Sequence, residues 1–530
     1  MKTSILSPNL SGDVSVVDCG VTNLATYVNE RTEHSATIWD YTFHSKNWQQ
    51  YLKEKYYADQ PDVIGITFTT LYKNYIEDSI AYIRGNLSKD IPIVVGGVHP
   101  TLHPEDGFME GVNVVVVGEG EPAYHELLDA IEGGNDFDSI KGIWYRKGDD
   151  LVSTPPRGWI ADINDLPTPN YDLWDDIEKY CWFLQQFWMV GTRGCPAKCT
   201  HCEEVAMYKL LPTSGDSPSG IRGTRKRFRF KNPQKYAEEI AHYYHKYHQF
   251  GVRWAHPFDP VFPINRNWTF EFCDAYIKTG LPRKFPITIF SRADCFYQQS
   301  PTKGQFDEDR LIALKEAGIV EIRVGVEAGS ERMRNEIHKK GVTNEQIIET
   351  FEMCRKHGIQ TIAYNMLGGP TETKEELKET FRINRRIKPN KPVFFVYQEI
   401  DHDMAEMGIV AQDYNVGVRT DSRTLFEKVF KLLEKHNSGN KSIRDSRDRG
   451  TILFGEPLDS PHFSKRWLVG FQFFCQSYFY GKRVIKCIWR QKHRFFINFF
   501  RVMYRGRKEN LNMKIVFAYF LSAHGDNLTT

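Results

Sequence analysis

Three short runs in the first quarter of the chain, DVIGITF (Asp62 to Phe68), IPIVVGG (Ile91 to Gly97) and VNVVVVGEGE (Val112 to Glu121), are almost wholly apolar. Strands without polar alternation must be covered on both faces, which is the condition of a parallel sheet. Helix-like segments, NYIEDSIAYIRGNL and PAYHELLDAI, lie between and after them, and a further apolar run opens the chain at Thr3 to Leu6. The fold class predicted for residues 1–135 is α/β, a doubly wound (Rossmann-like) domain whose ligands bind beyond the carboxyl ends of its strands.

Residues 136–185 contain GIWYRKGDDLVSTPPR and DINDLPTPNYDLW, which suit a hairpin followed by an extended linker. From 186 to 400, six runs each neighbour a helical segment: FWMVGTR, RWAHPFD, ITIFSRAD, EIRVGVEAGS, TIAYNMLGGP and PVFFVYQ. Six repeats of strand then helix predict a partial (β/α)6 barrel, with functional groups at the strand ends. Residues 401–530 lose strand signals and are expected to be mostly helical, with a polar linker at His436 to Gly450.

Where the first barrel strand ends, the chain reads GTRGCPAKCTHCEE, placing Cys195, Cys199 and Cys202 in a C-x3-C-x2-C loop. Gly194 and Pro196 tighten this loop so that three sulfurs face one metal centre, and three protein ligands leave such a centre open to a substrate. The spacing alone also suits zinc completed by His201, or three buried thiols without metal. The chain has ten cysteines, otherwise scattered, which favours a reducing compartment over a disulfide framework. MKTSILSPNL has no signal-peptide character, and no apolar stretch reaches the roughly 18 residues of a spanning helix, so the expected location is cytoplasmic. A formal charge of +2 provides no general attraction to nucleic acid, and none is expected as a partner.

On these motifs the chain resembles the cobalamin (B12)-binding radical S-adenosylmethionine (SAM) enzymes over about residues 1–395. The resemblance implies that Cys195, Cys199 and Cys202 hold a [4Fe-4S] cluster whose fourth iron SAM chelates, and that His201 lies near the adenine. It also implies SAM-flanking roles for Asp259 in HPFDP, Arg292 in FSRAD, and Glu327 and Ser330 in GVEAGS. NMLGGPTET resembles the family's glycine-rich turn leading into a helix.

The same resemblance makes the leading domain a holder of cobalamin (methylcobalamin). Three loops on one sheet edge match: ITFTT with Thr67 and Thr70, GGVHPT with Gly96, Gly97, His99 and Thr101, and VVVVGEGE with Gly118 and Glu119. Glycines there let backbone approach a large flat ligand. The D-x-H-x-x-G element that supplies a cobalt-ligating histidine is absent after the first strand, so cobalt without a protein histidine beneath it is expected, His99 and His103 being the remaining candidates.

What the family does implies an enzyme that generates a hydrogen-abstracting radical from SAM, drawing electrons from a reductant such as flavodoxin or ferredoxin. Methylation of an unactivated carbon in a small-molecule or lipid-like substrate is the first reading. Cyclisation or rearrangement is the alternative, and an inactive corrinoid sensor or carrier is the reading from another class. A methylthiotransferase is disfavoured because only Cys19 lies in the first 180 residues. Tyr397 and Glu399, in VYQEIDHD, are expected to line the substrate pocket as catalytic residues.

Two basic segments stand apart. RGTRKRFRFKNP (Arg222 to Pro233) reads as a solvated loop leading into a helix near Pro233, or as a contact for a phosphate-bearing substrate or electron donor. Lys465 to Lys508 carries twelve lysines and arginines and no acidic residue, interleaved with aromatics; Phe495 with Phe499 and Phe496 with Phe500 sit four apart. This pattern predicts either a helical cap on the barrel or a helix lying on an anionic membrane, an association the cytoplasmic location allows.

Overall fold

The computed structural model describes residues 1–10, 12, 14, 17–69, 72–134, 136–210, 223–224, 228–298, 304–397, 460–491, 493–509, 511 and 516. In chain order its elements are β1 (Lys2–Ser7), α1 (Cys19–Arg31), β2 (Ser35–Asp40), α2 (Trp48–Asp59), β3 (Val63–Thr67), α3 (Lys73–Asn86), β4 (Ile93–Gly96), α4 (Val98–Leu102), α5 (Pro104–Gly107), β5 (Val114–Val116), α6 (Gly120–Gly133), β6 (Ile143–Lys147), β7 (Asp150–Ser153) and β8 (Trp159–Ile160). There follow α7 (Ile177–Leu184), β9 (Gln186–Met189), β10 (Thr192–Arg193), α8 (Glu203–Leu210), β11 (Gly223–Thr224), β12 (Arg229–Phe230), α9 (Pro233–Tyr247), β13 (Trp254–Pro257), α10 (Arg266–Lys278), β14 (Ile287–Ser291), α11 (Glu308–Glu316) and β15 (Ile319–Glu327). The last are a π-helical turn at Arg332–Ile337, then α12 (Asn344–Lys356), β16 (Gln360–Leu367), α13 (Lys374–Ile387), β17 (Lys391–Val396), α14 (Lys465–Gln491) and α15 (His493–Lys508). Two compact units result: Met1–Pro196 with Glu203–Phe258 and Arg494–Thr530, and Ala197–Cys202 with Asp259–His493.

In the first unit a seven-stranded sheet runs β2-β1-β3-β4-β5-β6-β7. The strands from β2 to β5 pair in parallel, as the continuous apolar runs require. Ile64, Ile66, Ile93, Val95 and Val115 are buried at its core. Because β1 lies between β2 and β3, the winding direction reverses there, and the loops after β3, β4 and β5 share one carboxyl edge.

Three details depart from the sequence reading. β2 is an additional edge strand whose burial alternates at the start, a weaker signal than the continuous runs. β5 spans only three residues, because the Val117 N–H turns to the Gly142 carbonyl and Gly118 then takes φ +95°, a conformation suited to glycine. The predicted hairpin forms as β6 and β7 but pairs antiparallel onto β5, so the sheet continues past residue 135 into the predicted linker.

All six predicted barrel strands form, alternating with helices along the chain. β9 and β13 pair in parallel within the first unit. In the second unit β14, β15, β16 and β17 pair in parallel in that order. The β15–β16 register shifts between Gly325 and Glu327. α12 and α13 start at capping boxes, Thr343 with Gln346 and Thr373 with Glu376, which fix where each helix begins after its strand.

The C-terminal helices behave differently from each other. α14 packs Leu468 and Cys475 into a second-unit core with Leu367, Phe394 and Val396, and the Gln472 side-chain amide donates to the Phe394 carbonyl at 2.9 Å. α15 lies in the first unit, where the Arg505 guanidinium sits 4.0 Å from the Trp182 ring centroid and Glu509 pairs with Lys179 at 3.3 Å. No helix among the described residues is long and apolar enough to cross a membrane. The predicted linker at 436–450 and the rest of 401–459 lie outside the described residues.

The turn after β15 is held by a close backbone approach. The Gly329 N–H donates to Thr380 Oγ1 at 2.8 Å, and a Cβ at Gly329 would stand 2.3 Å from the Glu379 carbonyl carbon. Gly329→Ala is therefore expected to cost about 1–3 kcal/mol through overpacking. Gly470→Ala, in open space on α14, is expected to be neutral or stabilising by up to about 1 kcal/mol. Thermal unfolding midpoints of the two variants check the contrast.

Candidate active site

The cysteine loop begins at Gly194, whose φ of +91° makes the turn out of β10. Cys195 and Cys199 are buried, Cys202 is partly so, and none of the three is in a disulfide. Within the second unit, Thr200 pins the loop: its N–H donates to the His338 carbonyl at 3.1 Å and its hydroxyl to the Ile337 carbonyl at 2.8 Å. Among the described residues no three His, Cys, Asp or Glu side chains form a group suited to one metal ion. A cuboidal cluster asks something different, because each thiolate meets a separate iron corner. Cys195, Cys199 and Cys202 lie within eight residues of chain, a spacing that allows it.

Arg292, just past β14, joins three groups. Its Nε and Nη2 each donate to the Asp294 carboxylate at 2.9 Å, Nη2 donates to the Lys340 carbonyl at 2.6 Å, and Nη1 stands 3.5 Å from Cys199 Sγ. The guanidinium therefore sets a fixed positive charge beside that sulfur. Glu327 ends β15 with φ +60°, uncommon for a residue bearing a side chain, and its carboxylate accepts from Lys340 Nζ at 2.8 Å. Burial raises the Glu327 pKa, but the Lys340 charge outweighs it and holds the group ionised below the usual range. Asp259 is fully buried. Ser330 donates its hydroxyl to Glu376 at 3.0 Å.

His201 and His338 meet edge to face with ring centroids 4.9 Å apart, and Tyr397 stacks on His338 at 6.0 Å. Burial lowers the two imidazoles to about 4 and about 3, so both are neutral at physiological pH. The Nδ1 atom of each is buried without a hydrogen-bond partner. A planar, neutral ring with an unused nitrogen beside the cysteine loop suits an aromatic ligand edge. Tyr397 is itself buried, while Glu399 lies outside the described residues.

At the carboxyl edge of the first-unit sheet, Thr67 pairs in register with Gly96. Gly97 has φ +102°, and a Cβ there would meet Thr67 Oγ1 at 2.5 Å, so only glycine brings these loops together. Gly96 has ordinary room for a Cβ. Thr101 donates to the Gly97 carbonyl at 2.7 Å and accepts from the Gly118 N–H at 3.0 Å, tying two of the three predicted loops. The His99 ring contacts Phe68, and its Nε2 bonds Asp106 at 2.9 Å, which occupies that nitrogen. Burial keeps its pKa below the ordinary value despite Asp106. Thr70 lies outside the described residues.

Glu119 is held by protein charges. The antiparallel register of β10 and β12 sets Arg193 opposite Arg229, and both guanidinium groups reach the Glu119 carboxylate, at 3.1 and 2.8 Å. The Ile160 N–H adds a bond at 2.6 Å, and Arg193 also pairs with Glu121. Burial opposes ionisation of Glu119, and the Arg229 and Arg193 charges overcome it. Arg229 is thus buried rather than solvated as the basic run suggested, and Lys231 of the same run pairs with Glu239 at 2.6 Å. Sequence reasoning missed Arg193, His338, Lys340 and Glu372. Only Arg193, two residues before Cys195, and Glu372, inside the singled-out turn, had a positional cue.

Comparison with known proteins decides what these loops belong to. The B12 binding domain pattern matches residues 11–128 and the radical SAM superfamily pattern matches residues 189–383. The chain is a radical SAM protein with a B12-binding domain. This radical SAM protein is 28% identical to an uncharacterized methyltransferase of Pyrococcus horikoshii over 373 residues, 69% of this chain and 73% of that one. It is 26% identical to the anaerobic magnesium-protoporphyrin IX monomethyl ester cyclase of Cereibacter sphaeroides over 69% of this chain, spanning only 55% of that relative's length. Among solved structures it resembles the radical SAM methyltransferase TsrM of Kitasatospora setae with cobalamin and a [4Fe-4S] cluster bound (TM-score 0.62, 17% identity, 89% of this chain and 90% of that one). It also resembles the cobalamin-dependent enzyme OxsB with aqua-cobalamin and SAM bound (TM-score 0.59, 19% identity, 77% and 54%). At these identities the structural likeness establishes the fold.

Glu372, in the turn between β16 and α13, provides a test of the site's electrostatics. Its Oε2 accepts from the Gly368 and Gly369 N–H groups, at 2.6 and 3.1 Å, while Oε1 is buried without a partner. Burial raises its pKa to about 8. Between the ordinary carboxylate range and that value the folded chain holds a proton the unfolded chain lacks, so this group's contribution to stability falls as pH rises through the window. Glu372→Gln keeps the acceptor and removes the titration. The expected result is a thermal midpoint that gains on the parent protein progressively from pH 5 to pH 8; a pH-independent gap would contradict it.

Proposed function

We propose that the chain is a cobalamin-dependent radical SAM enzyme that transfers a methyl group to an unactivated carbon of a small-molecule or lipid-like substrate. The observation that carries this reading is the C-x3-C-x2-C loop, pinned through Thr200 and with Arg292 beside Cys199. Cys195, Cys199 and Cys202 would hold the cluster, and the loops at Thr67, Gly97, Thr101 and Gly118 would hold cobalamin. When bound, the cluster and SAM supply a hydrogen-abstracting radical, and cobalamin supplies the methyl group.

The chain's own residues bind, orient and keep charges fixed. Thr200 holds the cysteine loop against the turn at Ile337 and His338, and Arg292 keeps a positive charge at the Cys199 sulfur. The Lys340–Glu327 pair presents a fixed dipole at the end of β15, suited to the charged amino-acid moiety of SAM. His201, neutral and planar, offers Nδ1 to a nucleobase edge. Tyr397, stacked on His338, is read as part of the substrate wall, and Glu399 as its neighbour. Asp259 and Ser330 keep SAM-flanking roles, Ser330 through its bond to Glu376. Glu119 is reassigned from cofactor contact to a support of the Gly118 loop through Arg193 and Arg229.

Cyclisation is the second reading, favoured by likeness to the ester cyclase. A reductant such as flavodoxin or ferredoxin is the expected electron source in either case. The full chain, purified anoxically and assayed for iron, sulfide and cobalt, is expected to contain a cluster and a corrinoid and to release 5'-deoxyadenosine from SAM under reducing conditions. Replacing Cys195, Cys199 and Cys202 with alanine should remove iron and that product while leaving the corrinoid. Unchanged iron content in this variant would sink the reading. Label from the SAM methyl group appearing in a product separates methylation from cyclisation.

A further inference from the structure

The two C-terminal helices dispose of their apolar side chains in opposite ways. α14 buries Leu468 and Cys475 in the core of its own unit. In α15, Phe496, Ile497, Phe500 and Tyr504 are 47%, 60%, 65% and 74% exposed. Positions 496, 500 and 504 are four apart, and 497 lies three and seven residues from 500 and 504, so the four form one stripe along the helix. The opposite side is committed to the protein: Val502 is buried, Arg505 lies over the Trp182 ring, and Glu509, just past the helix, pairs with Lys179. An apolar stripe turned to solvent on a helix so anchored marks an interaction surface.

Charge selects the partner. Arg507 and Lys508 are exposed beside or beyond the stripe, and Lys465 to Lys508 contains twelve basic residues and no acidic one. A polyanion such as nucleic acid would account for the charge but leaves Ile497 and Phe500 in water. A second copy of the same helix would cover the aromatics but bring like charges together. An anionic bilayer takes both, with apolar side chains at the boundary of headgroups and acyl chains and cations among the headgroups. At 16 residues the helix is about 24 Å long, suited to lying in the surface plane.

We propose that α15 docks this protein onto an anionic lipid surface, with Ile497, Phe500 and Tyr504 entering the interface and Arg507 and Lys508 engaging headgroups. The inference is independent of the radical chemistry, because α15 lies outside the segments matched by the B12-binding and radical SAM patterns.

Flotation of the full chain with phosphatidylcholine vesicles, with and without phosphatidylglycerol, tests it. The protein is expected to float with the anionic vesicles, to remain below with the neutral ones, and to lose at least about tenfold in partitioning when salt shortens the screening length to a few ångström. Ile497→Glu with Phe500→Glu, both on exposed positions, should keep the parent's thermal midpoint and lose flotation at least about tenfold. Several results would overturn the proposal: no flotation of the parent on either vesicle, equal flotation on both, or flotation unchanged in the double variant. So would sedimentation of the parent as a dimer that the double variant dissociates while neither floats, since the stripe is then a self-association face.

Discussion

Three thiols on an eight-residue loop with no helix or strand of its own form a usable site only if something else fixes the loop. That constraint is met by Thr200, whose backbone and side chain both donate to carbonyls at Ile337 and His338. These carbonyls are available because a π-helical turn at Arg332–Ile337 ends there, and such turns leave backbone groups outside the regular helical pattern. Arg292 completes the arrangement by joining Cys199, Asp294 and the Lys340 carbonyl. The carboxylate of Glu327, in its left-handed conformation, is held by Lys340, so the same short segment anchors the loop and the charge at the end of β15.

The buried electrostatics follow one rule throughout. Charges that stay ionised are paired: Glu327 with Lys340, and Glu119 with Arg193 and Arg229. Groups without a counter-charge become neutral, as with His201, His338 and Glu372. Burying an unpaired ion costs several kcal/mol, whereas neutralising a titratable group costs less. The result is a set of fixed dipoles and neutral rings in the second unit.

Much of the fold was legible because its strongest signal is binary. Continuous apolar runs announced β3 and β4, and the barrel strands appeared in order from the repeat of strand then helix. β2 was not read, since a short alternating edge strand looks like many surface segments. Only part of the β5 run became strand, because Gly118 diverts the chain, and the hairpin at β6 and β7 joined the sheet through pairing that no local pattern specifies. At the site, the cysteine spacing and the strand-end positions of Arg292 and Glu327 were readable. Lys340 and His338 were not, because their importance comes from lying against residues distant in sequence.

The sequence by itself determined the parallel sheets, the open trio of thiols and the concentration of positive charge and aromatics near the C-terminus, since each depends on residue type at short spacing. Only the tertiary structure decided which groups are charged, which are neutral and which face water. It made Arg229, in a basic run expected to be solvated, a buried partner of Glu119, and it separated a helix that packs on β17 from one that leaves its apolar stripe exposed. The physical reason is that pairing, burial and exposure depend on what the folded chain brings alongside each side chain, and sequence spacing is silent on that beyond a few turns.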